Sequence, residues 1–172
     1  MKCKAVILAA GKGKRLRSGE SDLMPKAMKE IDGHPLISYV LRALDFIPPS
    51  DRITVVGFGN EQIIEYCSGL CEFVEQKEQL GTGHAVEVCG DALKDYEGAV
   101  LVCTGDMPLV TADTYRMFIE THIREGNDCT ILSSGAEDPH GYGRIVRTPE
   151  GSFSCIVEER DCTEEQKKIT EI

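Results

Sequence analysis

The sequence predicts an α/β fold with helices on both faces of a mostly parallel sheet and a β-hairpin near the C-terminal end. Three observations predict it. Short apolar runs alternate with amphipathic stretches over the first three-quarters of the chain. Several of those runs are continuously apolar, as strands buried on both faces are. After Ser134 the rhythm gives way to two strand-like runs separated by Thr148-Pro149-Glu150-Gly151, a turn composition.

In chain order, residues 4–9 read as a buried strand. Residues 36–46 carry apolar side chains at 36, 37, 40, 41 and 44, a helical stripe. A strand at 52–56, a short helix at 61–67 and a strand at 71–75 follow; Gly69 argues against the helix running on between Cys67 and Cys71. A helix at 83–93 leads to a fourth strand at 99–103. The helix at 111–124 has Thr111 as its N-cap, and 129–133 makes a fifth strand. Residues 143–147 and 152–157 form the hairpin. The charged tail 163–172 is either a helix or a loosely held end.

A chain of 172 residues suits one domain. Its 41% hydrophobic content supports a core, and no apolar run approaches the length of a membrane span. The run at 5–8 is short and is followed by Gly and Lys, so it reads as a strand and not an export signal. A net charge of −10 argues against a nucleic acid polymer or an anionic membrane as partner. Residues 1–50 nevertheless hold nine Lys and Arg against five Asp and Glu; that local excess is either an anion site or a solvated basic loop. No pair of the eight cysteines has C-x-x-C spacing, which gives no support for a zinc or redox motif. Free thiols in a reducing cytosol are expected, and with them a cytoplasmic location.

Ligands of open α/β sheets bind beyond the carboxyl ends of the strands, so the motifs just after the strands carry the functional reading. The first is Leu8-Ala9-Ala10-Gly11-Lys12-Gly13-Lys14-Arg15. Its small residues let the backbone approach a ligand, and its N–H groups can cradle phosphate oxygens. Lys12, Lys14, Arg15, Arg17 and Lys26 suit a triphosphate. The string is neither a P-loop, which needs G-x-x-x-x-G-K-[ST], nor a dinucleotide fingerprint, because Leu16 stands at the third glycine position.

With Pro25-Lys26, this string resembles the signature of the sugar-nucleotidyltransferase superfamily. Lys14 departs from the usual Thr or Ser, and the segment between Arg15 and Pro25 is longer than usual. The resemblance implies a Rossmann-like three-layer α/β/α fold, as in the nucleotide-diphospho-sugar transferases. It implies that Leu8, Ala9, Ala10 and Gly11 hold the nucleotide, with Arg15 and Lys26 as catalytic cations at its phosphates.

The second motif is Gln76-Lys77-Glu78-Gln79-Leu80-Gly81-Thr82-Gly83-His84-Ala85. Glutamine donors and acceptors suit a pyrimidine edge, while Thr82 can equally cap the next helix. The third, Thr104-Gly105-Asp106-Met107-Pro108-Leu109, sets a carboxylate at the carboxyl end of a strand. There it can hold Mg²⁺ against phosphate oxygens, or it can simply end the strand. Asp138 to Arg147 and Ile156 to Asp161 frame the hairpin.

Together these strings resemble the bifunctional N-acetylglucosamine-1-phosphate uridyltransferase/glucosamine-1-phosphate acetyltransferase family, over nearly all of this chain. The resemblance implies that Gln76, Gly81 and Thr82 recognise uridine, that Asp106 binds the metal, and that Gly143 and Glu158 contact the sugar phosphate. His84 reads as structural. The implied reaction joins UTP and N-acetylglucosamine-1-phosphate, with Mg²⁺, to give UDP-N-acetylglucosamine and pyrophosphate. In the family the pattern runs on into Asn-Thr-Gly and later into a β-helix acetyltransferase domain, neither within these 172 residues. One incomplete nucleotidyltransferase domain, poorly active alone, is therefore expected; the full-length family is homotrimeric. Two alternatives remain: a related NTP transferase with another base or acceptor, such as a molybdopterin guanylyltransferase, and an inactive nucleotide-binding fragment.

Overall fold

Four apolar runs, each too short for a stable helix, find their hydrogen-bond partners in one another. In the computed structural model, which describes residues 2–11, 24–57 and 59–172, β1 (Cys3–Leu8) pairs in parallel with β4 (Arg52–Val56) on one side and β6 (Ala99–Thr104) on the other. β5 (Glu72–Glu75) adds to β4, giving the order β5-β4-β1-β6. The central strands are buried on both faces, and Ala5, Val6, Ile7, Ile53 and Val55 are sealed from solvent. This is why their runs are continuously apolar.

Helices cover both faces. On one, Ala5, Ile7, Leu101 and Cys103 pack with Ile37, Val40 and Leu41 of α1 (Leu36–Ala43) and with Tyr115 and Ile119 of α5 (Ala112–Glu125). On the other, Val6, Ile53 and Val55 pack with Ala85 of α3 (Thr82–Glu87) and with Cys89. Short α2 (Asn60–Tyr66) connects β4 to β5 and buries Ile63.

Several boundaries differ from expectation. α1 stops at Ala43, because the next residues tighten into three-residue turns: the Asp45 N–H donates to the Arg42 carbonyl and that of Ile47 to Leu44. The stretch 83–93 divides into α3 and α4 (Gly90–Leu93), where the Cys89 N–H bonds the Val86 carbonyl and Gly90 is a weak helix former. Gly81, and not Thr82, is the N-cap of α3. Residues Glu30–Ile31 (β2) and His34–Pro35 (β3) form an unanticipated antiparallel pair. Asp32 (φ 53°) and Gly33 (φ 73°) join them, the two positive φ values of a tight hairpin turn.

The chain divides into two units, Met1–Gly126 and Asn127–Ile172. In the second, β7 (Arg144–Arg147) and β8 (Phe153–Val157) make the expected hairpin, closed through the Thr148 N–H and Ser152 carbonyl at 2.8 Å. The fifth strand expected at 129–133 does not form: those residues join no ladder. Instead Ser134 exchanges both backbone bonds with Ile172, and Ala136 donates to Thr170. The tail is thus neither a helix nor a loose end. It makes one 3-10 turn at Gln166–Lys168 and then pairs with residues 134–136. Among the described residues, no helix is long and apolar enough to cross a membrane.

Candidate functional site

The carboxyl ends of parallel strands leave a concave edge, because each strand there hands over to a loop. Backbone bonds fix where those loops begin. The Ala9 N–H donates to Val55, that of Gly105 to Leu8 and that of Gln76 to Val56, at 2.8 to 2.9 Å. A cavity of about 390 Å³ opens at this edge, within the first unit. Leu8, Ala9, Ala10 and Gly11 line it after β1, joined by Lys26 and Ala27. Gln76, Gln79, Gly81, Thr82 and Ala85 follow β5, and Thr104 and Asp106 close β6.

Nine of the twelve residues singled out from the sequence and its resemblances therefore meet around one cavity, the metal candidate Asp106 among them. Arg15 lies outside the described residues, as do the neighbouring cations Lys12, Lys14 and Arg17. Gly143 and Glu158 belong to the second unit. They are the residues next beyond the last ladder pair of the hairpin, Arg144 with Val157. A Cβ on Gly143 would stand 3.2 Å from Ile156 Cγ2 and 3.5 Å from the Val157 carbonyl, so a side chain there would press on β8.

Asp106 and Lys26 form an ion pair across the cavity, their side chains 22% and 38% exposed. Burial pushes the Asp106 carboxyl up. Hydrogen bonds from Lys26 and Thr104, the Lys26 charge and the residue's own N–H outweigh it, leaving the carboxyl below the usual carboxylate range. Lys26 stands at the start of a 3-10 turn, Lys26–Met28, after Pro25 (φ −58°), with Ala27 buried beside it. Its backbone is therefore anchored while its ammonium reaches into the cavity.

Gln76 is almost wholly buried, at 3% exposure. Its Nε2 donates to the Gly81 carbonyl at 3.0 Å and meets His84 Nδ1 at 3.1 Å. With the amide as donor, Nδ1 is the unprotonated ring nitrogen, and both amide hydrogens are committed inside the protein. Gln76 then offers a ligand only its carbonyl oxygen, and His84 acts by holding Gln76.

Sequence reasoning missed Gln79 and Thr104 as lining residues, and Gly57 beneath them. A Cβ on Gly57 would lie 3.1 Å from Ala10 Cβ, 3.2 Å from the Gln76 carbonyl and 3.2 Å from Gln79 Nε2. The signal available was the glycine's position directly after a strand. Arg144 was missed too: it is 1% exposed, donates to the Tyr142 carbonyl and to Glu159, and its Nε has no hydrogen-bond partner.

Among the described residues, no group of three or more His, Cys, Asp or Glu side chains gathers as a ready-made metal cage. A divalent cation here would depend on Asp106 plus oxygens brought by a ligand. A single carboxylate completed by phosphates and water is the donor set Mg²⁺ favours, so the residues present fit that ion.

Residues 5–153 match the MobA-like NTP transferase domain family. The bifunctional protein GlmU of Caldanaerobacter subterraneus subsp. tengcongensis is 46% identical over 168 residues, which is 98% of this chain and 36% of that protein. GlmU of Streptococcus uberis is 42% identical over 98% of this chain and, again, 36% of its own length. The chain thus spans about a third of the length of these curated relatives. Among solved structures, HddC from Yersinia pseudotuberculosis complexed with GMP-PN has a TM-score of 0.71 at 26% identity, over 92% of this chain and 69% of that one. A Bacillus anthracis chain crystallised with a sucrose has a TM-score of 0.74 at 17% identity, over 98% and 68%, and so shares the fold. The chain belongs to the MobA-like NTP transferase domain family and corresponds to the N-terminal part of GlmU.

Proposed function

We propose that this chain carries the nucleotidyl-transfer part of an enzyme that joins UTP to N-acetylglucosamine-1-phosphate, forming UDP-N-acetylglucosamine and pyrophosphate. The observation that carries the proposal is the meeting of Lys26 and Asp106 in the cavity that Leu8, Ala9, Ala10 and Gly11 border. A cation and a metal-competent carboxylate beside small, close-approach backbone make a triphosphate site.

The reaction has an oxygen of the sugar 1-phosphate attack the α-phosphorus of UTP as the bond to pyrophosphate breaks. Attacker and target are both anionic, so catalysis rests on alignment and charge neutralisation. The backbone of residues 8–11 lies against the triphosphate, and Lys26 offsets charge on it. Arg15 adds a second cation, by the family likeness. Mg²⁺ held by Asp106 would supply further charge stabilisation at the phosphates.

Uridine selection follows from Gln76. With both amide hydrogens occupied, its remaining acceptor suits the N3–H of uracil, whereas cytosine presents an acceptor at that position. Gly143 and Glu158 take the sugar phosphate, a role that rests on the family likeness. The GMP-PN complex of the HddC relative favours one rival, a guanine nucleotide in the same cavity.

Thermal shift with UTP, CTP and GTP, each with Mg²⁺, tests the proposal. Selective stabilisation raises the melting temperature with UTP alone, because a ligand at about 100 times its Kd adds about 2.7 kcal/mol. Selectivity for GTP would overturn the uridine reading.

A further inference from the structure

The Lys26–Asp106 pair has a consequence for the order in which ligands enter, one that rests on the proposed triphosphate reading. Asp106 is the acid among the described residues lining the cavity and Lys26 the base, and each is the other's partner. A carboxylate already neutralised by an ammonium in contact is a poor ligand for a divalent cation, since the incoming ion must displace a charge that is tethered to the protein. The tether is short. Pro25 and the Lys26–Met28 turn fix the lysine backbone, and the Met28 N–H closes that turn on the Pro25 carbonyl at 2.9 Å. The ammonium can therefore leave Asp106 by side-chain rotation, with the backbone staying where it is. A triphosphate in the same cavity would offer it several anionic oxygens within reach.

We propose that Lys26 keeps the Asp106 carboxylate closed to divalent cations until a nucleoside triphosphate draws the ammonium away, so that nucleotide binding opens the metal site. The coupling is reciprocal: whatever factor the nucleotide adds to metal affinity, the metal adds to nucleotide affinity.

The test is titration of the 172-residue chain with Mn²⁺, with no nucleotide present, following free Mn²⁺ by electron paramagnetic resonance. Lys26→Met should bind one Mn²⁺ about tenfold more tightly than the unaltered chain, within the usual range of such couplings. Lys26→Arg, which keeps a cation at the position, should bind as weakly as the unaltered chain. Adding Asp106→Asn to Lys26→Met should abolish the gain. Equal Mn²⁺ affinity in the unaltered chain and Lys26→Met, with Asp106→Asn abolishing both, would overturn the gate and leave the metal role of Asp106 standing. A Mn²⁺ site in Lys26→Met that survives Asp106→Asn would overturn the gate and that role together.

Discussion

In the proposed function, Gln76 ties base recognition to the shape of its own loop. Its amide holds the Gly81 carbonyl and His84 at once, so the side chain proposed to select the base also sets the turn on which Thr82 sits. Truncating it removes two hydrogen bonds, each worth about 1 kcal/mol net, or about 2 kcal/mol together. Gln76→Ala should therefore lower stability by about that amount in urea denaturation and also erase the preference for UTP over CTP. Gln79→Ala, at an exposed position of the same cavity, should leave stability within about 0.5 kcal/mol. If Gln76→Ala kept full discrimination, the base would be read by other groups. At this scale most of the candidate site was legible because residues 8–11, 76–85 and 104–106 each follow a strand in an unbroken string. Gly57 was legible only in its place directly after a strand; the neighbours that constrain it, Ala10, Gln76 and Gln79, are distant in sequence.

Element boundaries were legible where the signal is local. Thr111 caps α5 as its position suggested, its hydroxyl accepting from the Thr114 N–H at 3.2 Å, and Gly126 (φ 64°) ends the helix. Thr111→Ala should cost about 1 kcal/mol, measured as a lower urea midpoint at unchanged slope; no change would mean the cap bond contributes nothing. The Asp32-Gly33 turn is as local but was missed, because the strands that flank it are only two residues each. The stretch 129–133 failed for the opposite reason. Its composition is strand-like, but a strand exists only where a partner offers a ladder, and the neighbouring residues pair with the tail instead. No window of sequence around Cys129 contains Ile172.

At the scale of the whole chain, the second unit is drawn together by its last residues. The Ile145 N–H donates to the Glu171 carbonyl, and the Glu171 carboxylate takes Arg147 at 2.6 and 2.7 Å and the Ser133 hydroxyl at 2.7 Å. The Arg147 and Ser133 hydrogen bonds hold that carboxyl down from its ordinary 4.5 to about 2. A depressed folded value stabilises above the unfolded one, so the contribution is present above pH 4.5 and drains away as pH falls toward 2. Amide exchange at Ala136 and Ile145, corrected for intrinsic rates, should lose protection between pH 5 and pH 3. Glu171→Gln should show lower protection at both values and no such step. An unaltered pH response in Glu171→Gln would assign the acid sensitivity elsewhere.

The fold-level expectation of a parallel sheet with helices on both faces was legible because strand–helix alternation is written in hydrophobic period, and the site followed because a parallel sheet gathers its loops at one edge. The account stands on that edge receiving a uridine triphosphate. Titrating ¹⁵N-labelled chain with UTP and Mg²⁺ while recording amide shifts tests this most directly. The account predicts that the largest changes fall on Ala9, Ala10, Gly11, Gln76, Gly81, Thr82, Gly105 and Asp106, saturating together. Shifts confined to other residues, or none at millimolar UTP, would contradict it.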